Sequence, residues 1–251
     1  MARKIFRALG YLVILLIVVG IAAFIALDRN LPEGVEGDKA EALTDKVLSF
    51  VEAQGWDTTA AVTFTYGPGH TYLWDRTRNL ARVSWGDTQV LIDLDNQKGK
   101  AWENGKLLAP DAWPDKVQTA WEYWCNDSFW LNPLTKLRDP GTTRKYVALE
   151  GPQDGLLVTY NSGGVTPGDS YLWYVNPDGQ PTHWRMWVKI LPIGGLQTSW
   201  ENWKTLYSGA KVATTHKLGP ISISVANLKA AASVEALANG DDPFAPLFNT
   251  L

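Results

Sequence analysis

The sequence predicts a mainly β, α+β protein of about ten or eleven antiparallel strands and two or three helices, behind an N-terminal transmembrane helix. Three observations carry this. Most of the chain reads as short segments of alternating apolar and polar residues bounded by turn residues. Only the stretches 38–54 and 114–126 space their apolar residues at helical intervals, and no repeated strand–helix unit suggests a parallel sheet. The third is the uncharged run from Ala8 to Leu27, which follows Arg3, Lys4 and Arg7 and is about long enough to span a bilayer.

Basic residues before this run and Asp28 after it orient the body of the chain to the extracytoplasmic side, with residues 8–27 in the membrane. A cleaved signal peptide is the rival reading of residues 1–30. It fits less well, because Ala22 and Ala23 are followed by Phe24, Ile25 and Leu27. No cysteine lies nearby to carry a lipid. Residues 31–37 form a linker containing Pro32, Gly34 and Gly37, residues 38–238 one folded domain, and residues 239–251 a loose tail with Pro243 and Pro246.

Within the domain, Asp38 and Glu41 have the spacing of a capping box, and Leu43, Val47, Leu48 and Val51 form one stripe of a helix that Gly55 ends. Strands follow at 60–66, in a hairpin over 71–85, and at 89–94 and 100–103, with Asn104-Gly105 as a hairpin turn. Pro114 suits the first turn of a second helix, whose apolar stripe is Val117, Ala120, Trp121 and Trp124 and which ends near Asn126. Residues 126–141 read as irregular. Strands resume at 143–149 and 156–161, then in the stretch 163–190 around the turn Asn176-Pro177-Asp178-Gly179, and at 199–207, 211–217 and 221–228. The alanine-rich run 230–238 reads as a short helix.

The strand before Leu191 has two unlike faces. Trp184, Met186, Val188 and Ile190 share one, and His183, Arg185, Trp187 and Lys189 share the other. A weaker echo links Thr71-Tyr72-Leu73-Trp74 to Ser170-Tyr171-Leu172-Trp173, as two strands with the same role in the fold.

Composition removes several functions. The chain of 251 residues balances 23 Lys+Arg against 26 Asp+Glu, and no basic run follows residue 8, so a nucleic-acid partner is not expected. The single Cys125 excludes an internal disulfide and a cysteine-based zinc site. None of the three histidines, His70, His183 and His216, has a partner at metal-ligand spacing. No phosphate loop surrounds Gly163-Gly164 or Gly194-Gly195, and no nucleophile elbow is present. The sequence therefore predicts no catalytic residue, metal or cofactor. Its anomaly is 13 tryptophans, which can fill a core, line a pocket or stack on sugars.

The order of elements, with the hairpin phrases Tyr72–Trp85 and Tyr171–Trp187, resembles the half-barrel lipoprotein-carrier superfamily. That group includes the periplasmic lipoprotein carrier and receptor and related mycobacterial lipid-binding lipoproteins. The phrases TYLWDRTRNLARV, NDSFWL and GDSYLW are also similar to an uncharacterised family of bacterial exported proteins. The superfamily resemblance covers residues 38–228. It implies a strongly curved, open antiparallel sheet with helices in its concave face and an apolar cavity that shelters acyl chains. The implied partner is a lipid or another apolar small molecule, with an envelope protein partner left open. The residues expected to hold it are Trp74, Trp121, Trp124, Trp130, Trp173 and Trp187, with Arg76, His183 and Arg185 at a headgroup. Two alternatives stand beside it: a carbohydrate-binding module built on exposed tryptophans, and a hydrolase using two of Asp127, Asp139 and Asp169.

Overall fold

The computed structural model describes residues 27–67 and 69–248. The expected membrane span therefore lies outside the described residues except for Leu27. Among the described residues no helix is long and apolar enough to cross a membrane.

The chain opens with helix α1 (Asp38–Phe50) and the short helix α2 (Ala53–Asp57). Six strands follow: β1 (Ala61–Tyr66), β2 (His70–Asp75), β3 (Leu80–Trp85), β4 (Thr88–Asp93), β5 (Lys98–Glu103) and β6 (Lys106–Leu107). After helix α3 (Trp113–Leu131) come β7 (Thr142–Val147), β8 (Asp154–Tyr160), β9 (Asp169–Val175) and β10 (Pro181–Trp187). The last strands are β11 (Leu196–Ser199), β12 (Glu201–Thr205), β13 (Lys211–Leu218) and β14 (Ile221–Ala231), before the single-turn helix α4 (Ala245–Phe248).

The strands make two open antiparallel sheets rather than one. A nine-stranded sheet runs β12-β13-β14-β1-β2-β3-β4-β5-β6, and a five-stranded sheet runs β11-β10-β9-β8-β7. They meet along residues 196–205. The first half of this stretch pairs with β10 and the second half with β13, with Trp200 between them at 2% exposure. Ser199 accepts from Lys217 N at its hydroxyl (3.0 Å), which ties the switch point to β13.

Several elements depart from their sequence expectation. Helix α1 stops early because Glu52 takes a left-handed φ of 52°, and its first turn carries no side-chain cap. Glu41 instead receives Arg138 (2.7 Å) and Arg144 (2.9 Å). Gly55 sits inside α2, where a Cβ would stand 2.4 Å from Ser208 O. Helix α3 continues through Leu131, because Trp124, Asp127, Ser128 and Leu131 extend its buried stripe. Asn132 and Pro133 end it, since proline disfavours helical backbone before it. The alanine-rich run 230–238 is not one helix: its first two residues end β14, paired with β1, and only Glu235–Leu237 form a single 3-10 turn. The tail folds back: Phe244 is fully buried, and Asp242 receives both terminal nitrogens of Arg78 (2.8 Å each).

The echo between the two tyrosine strands holds in three dimensions. Tyr72 and Tyr171 both turn toward α3, with Trp124 at 6.1 Å and Phe129 at 5.0 Å, while Leu73 and Leu172 turn to the outer faces. Two cores result. One joins Val62, Phe64, Val83, Val90 and Ile92 to Val117, Ala120 and Trp124 of α3. The other joins Leu43 and Val47 of α1 to Val158, Trp173, Trp184 and Trp200. Burying each such side chain contributes about 1.5–3 kcal/mol. Helix α3 touches both cores, because Trp130 near its end reaches Trp184 (5.1 Å) and His216 (5.4 Å).

Candidate functional site

The C-terminal half of α3 stands away from the five-stranded sheet, and the gap is a cavity of about 740 Å³. Trp121, Trp124, Phe129 and Trp130 come from the helix. Tyr160 ends β8, Tyr171 and Met186 rise from β9 and β10, and Val188, Ile190 and Leu191 follow β10. Alternation places this set: from Trp184 onward every second residue of the strand turns to the helix side. Phe129 meets Tyr160 edge to face at 5.2 Å and Tyr171 at a tilt at 5.0 Å, which makes a largely aromatic floor.

One polar cluster interrupts this wall. Asp127, on α3, is 1% exposed. Its Oδ2 accepts from Tyr72 Oη (2.5 Å) and from His70 Nδ1 (2.7 Å), and its Oδ1 accepts from Asn126 Nδ2 (2.7 Å). His70 meets this carboxylate through Nδ1, which leaves Nε2 for other contacts. His70 also stacks on Tyr123 at 4.1 Å and lies where this cavity adjoins a smaller one, of about 390 Å³, beside Trp85. Burial and the Asp127 charge hold the Tyr66 and Tyr72 hydroxyls protonated, with pKa values far above the ordinary range. Burial also pushes the Cys125 thiol up to about 11, so it is a poor nucleophile at neutral pH.

Asp139 and Asp169 line the same cavity as Asp127. Each is engaged. Asp169 takes the Thr166 hydroxyl (2.6 Å) and Lys189 N–H (2.9 Å), and Asp139 lies 3.5 Å from Lys136 Nζ. Among the described residues no group of three or more His, Cys, Asp or Glu side chains could hold a metal ion.

No family model matches the chain, and no curated protein matches it. Solved structures similar to it include the following two. One is a DUF1329 family protein from Desulfovibrio piger ATCC 29098, at 10% identity and a TM-score of 0.39, covering 77% of this chain and 94% of that one. The other is a putative outer membrane lipoprotein-sorting protein domain from Vibrio parahaemolyticus, at 10% identity and a TM-score of 0.31, covering 74% and 93%.

Of the residues expected at a ligand, Trp121, Trp124 and Trp130 line the cavity. Trp173 lies in the core beneath, 1% exposed. Trp74 packs between Trp56 (6.0 Å) and Trp124 (4.5 Å), where it helps to sandwich Arg76. Arg76 donates to Trp56 O and Thr59 O, so it fixes the β2–β3 turn to α2 rather than meeting a headgroup. His183, Arg185 and Trp187 lie on the outer face of β10. There His183 stacks on Tyr174 (4.0 Å), Arg185 reaches Gln197 (2.8 Å), and Trp187 packs beside Leu157 and Leu172. The cavity belongs to the greasy face of that strand, because the helix covers that face. All 13 tryptophans are buried or half-buried, so no row of open indole rings offers a sugar platform.

The sequence reading missed Tyr66, Phe129, Tyr160, Tyr171, Met186, Val188 and Leu191 as lining, and it missed the Asp127–His70–Tyr72 cluster. The alternation over 184–190 was a usable signal for Met186 and Val188. The cluster joins residues 55 and 57 positions apart, and no spacing rule reaches that far.

Proposed function

We propose that the chain is a membrane-anchored, extracytoplasmic binding protein for a lipid, a lipoprotein acyl chain or another apolar molecule, held in the cavity under α3. The observation that supports this most is the cavity itself. Its volume of about 740 Å³ falls within the roughly 300–1,000 Å³ of pockets that enclose small molecules. Its wall is mostly aromatic and aliphatic, and each 100 Å² of apolar surface that a guest removes from water contributes about 2.5 kcal/mol. Lys136, Asp139 and Ser162 gather polar atoms at one part of the lining, with Lys136 Nζ 3.5 Å from Asp139 and the Ser162 hydroxyl on Pro140 O, and a guest with one polar end keeps that end hydrated or hydrogen-bonded there. Such a role asks for no metal or redox cofactor.

The test is native mass spectrometry on the chain purified from its own host, followed by titration of delipidated protein with a fluorescent fatty acid or phospholipid. Co-purifying lipid mass and saturable binding support the proposal. A bare protein mass with no saturable binding removes it.

A second reading has one observation behind it: three acids line one cavity, and Asp127 holds His70 at 2.7 Å. In that reading His70 Nε2 accepts a proton from water attacking an ester, with Asp127 orienting the ring. Release of fluorophore from a fluorogenic lipid ester, lost in His70→Gln, favours hydrolysis. Stoichiometric binding without turnover favours carriage.

A further inference from the structure

The segment that follows the uncharged run is strapped to the loop after β10. Gly194 N–H donates to Asp28 Oδ1 (2.8 Å), Arg29 N–H donates to Gly194 O (3.1 Å), and Trp187 Nε1–H donates to Arg29 O (2.7 Å). Two glycines permit this approach. A Cβ on Gly194 would stand 2.6 Å from Trp187 Cδ1 and 2.8 Å from Arg29 O, and one on Gly195, whose φ is +73°, would stand 2.8 Å from Arg29 Cβ. The pair that serves no phosphate therefore serves a chain crossing.

The strapped loop is also the cavity's lip. Val188, Ile190 and Leu191 lie three to six residues before Gly194 and line the cavity, yet Ile190 is 70% exposed. Val165 lines it too and is 47% exposed. Side chains that face both the cavity and solvent mark a mouth. Leu27, at 54% exposure, is one peptide bond from the strapped Asp28, a distance of ~3.8 Å between Cα atoms. The strap removes the slack that a free linker would give and holds Leu27 beside the loop that begins three residues after the lining residue Leu191.

We propose that the mouth is held against the outer surface of the bilayer that anchors the chain, with Ile190, Val165 and Leu27 entering the headgroup–acyl boundary. Lipid then passes between bilayer and cavity without crossing water. The occupant of this apolar lip is a phospholipid surface, because residues 8–27 form an uncharged run about long enough to span a bilayer, and that run ends directly before the strapped Asp28. The inference rests on the lipid-binding reading above and adds where the guest enters.

The experiment uses the full chain in vesicles of phosphatidylethanolamine and phosphatidylglycerol that contain doxyl-labelled phospholipid. An environment-sensitive fluorescent amino acid replaces Ile190 in one preparation and Asp178 in another. Asp178 lies on the turn between β9 and β10, at the opposite end of those strands from the mouth. Position 190 is expected to show blue-shifted emission and at least a twofold loss with the quencher, and position 178 neither. Equal quenching at both positions, no quenching at 190, or a chain recovered without residues 8–27 overturns the proposal. A photoactivatable phospholipid in the same vesicles separates the two readings. Cross-links at Phe129, Trp130 or Tyr160 without quenching at 190 sink the orientation alone. Quenching at 190 without cavity cross-links sinks the lipid-binding role.

Discussion

Removal of one hydroxyl, in Tyr72→Phe, measures what Asp127 contributes to the wall of the cavity. The Tyr72 ring is fully buried and stacks on Phe64 at 4.6 Å, so the substitution keeps the packing. It deletes only the 2.5 Å bond to Asp127 Oδ2, and the buried carboxylate keeps His70 and Asn126 as donors. A hydrogen bond to a charged group contributes about 1.5–3 kcal/mol. For a domain of this size each kcal/mol moves the melting temperature by about 2–4 °C, so Tm is expected to fall by about 3–12 °C. Tyr207→Phe is the control: Tyr207 is 55% exposed and donates to Thr58 O at 3.2 Å, and its loss should stay within about 0.5 kcal/mol. Urea unfolding followed by tryptophan emission, with calorimetry beside it, reads both. In an Asp127→Asn background the cost of Tyr72→Phe should shrink, because the partner charge is gone. A Tyr72→Phe variant as stable as Tyr207→Phe would refute the reasoning.

Three further outcomes are expected. Burial lowers the His216 pKa to about 4 from 6.5, so the folded state resists protonation there. Its stability contribution is complete above pH 6.5 and is lost as pH falls toward 4, by up to about 3 kcal/mol. Urea midpoints at pH 7 and pH 4 should therefore differ more for the native chain than for His216→Gln, and equal differences would contradict the burial argument. Gly55→Ala places a Cβ 2.4 Å from Ser208 O and 2.8 Å from Ala210 N and should cost about 1–3 kcal/mol. Gly69→Ala, which meets nothing within 4 Å, should stay within about 0.5 kcal/mol in the same melts. Val188→Asp puts a charge on the cavity lining and should weaken fatty-acid binding about tenfold or more, read by fluorescence titration with circular dichroism as the folding check.

The strands were legible because alternation and turn chemistry are local. Asn79, Asn104 and Gly179, on or beside expected turns, take positive φ values of 52°, 50° and 89°. The division into two sheets was not legible. It depends on residues 196–205 changing partners at Trp200, and a continuous strand pattern hides such a switch. The end of α3 was misjudged because Asp127 and Ser128 read as loop residues, whereas inside the helix Asp127 is satisfied by two side chains from β2. At the site, the sequence separated the two faces of β10 but favoured the cationic one for the ligand. Helix α3 covers the other face, and only tertiary packing decides that. The aromatic excess was a sound signal of a large core with a lined gap, though it did not tell Trp173, in the core, from Trp130, at the gap.

A fatty acid brominated in mid-chain, crystallised with the protein, tests the central claim most directly. The account predicts anomalous bromine density inside the cavity, between Phe129 and Trp130 on the helix and Tyr171 and Met186 on the sheet. Bromine found only on the outer surface, with the gap closed by the protein's own side chains, would contradict it.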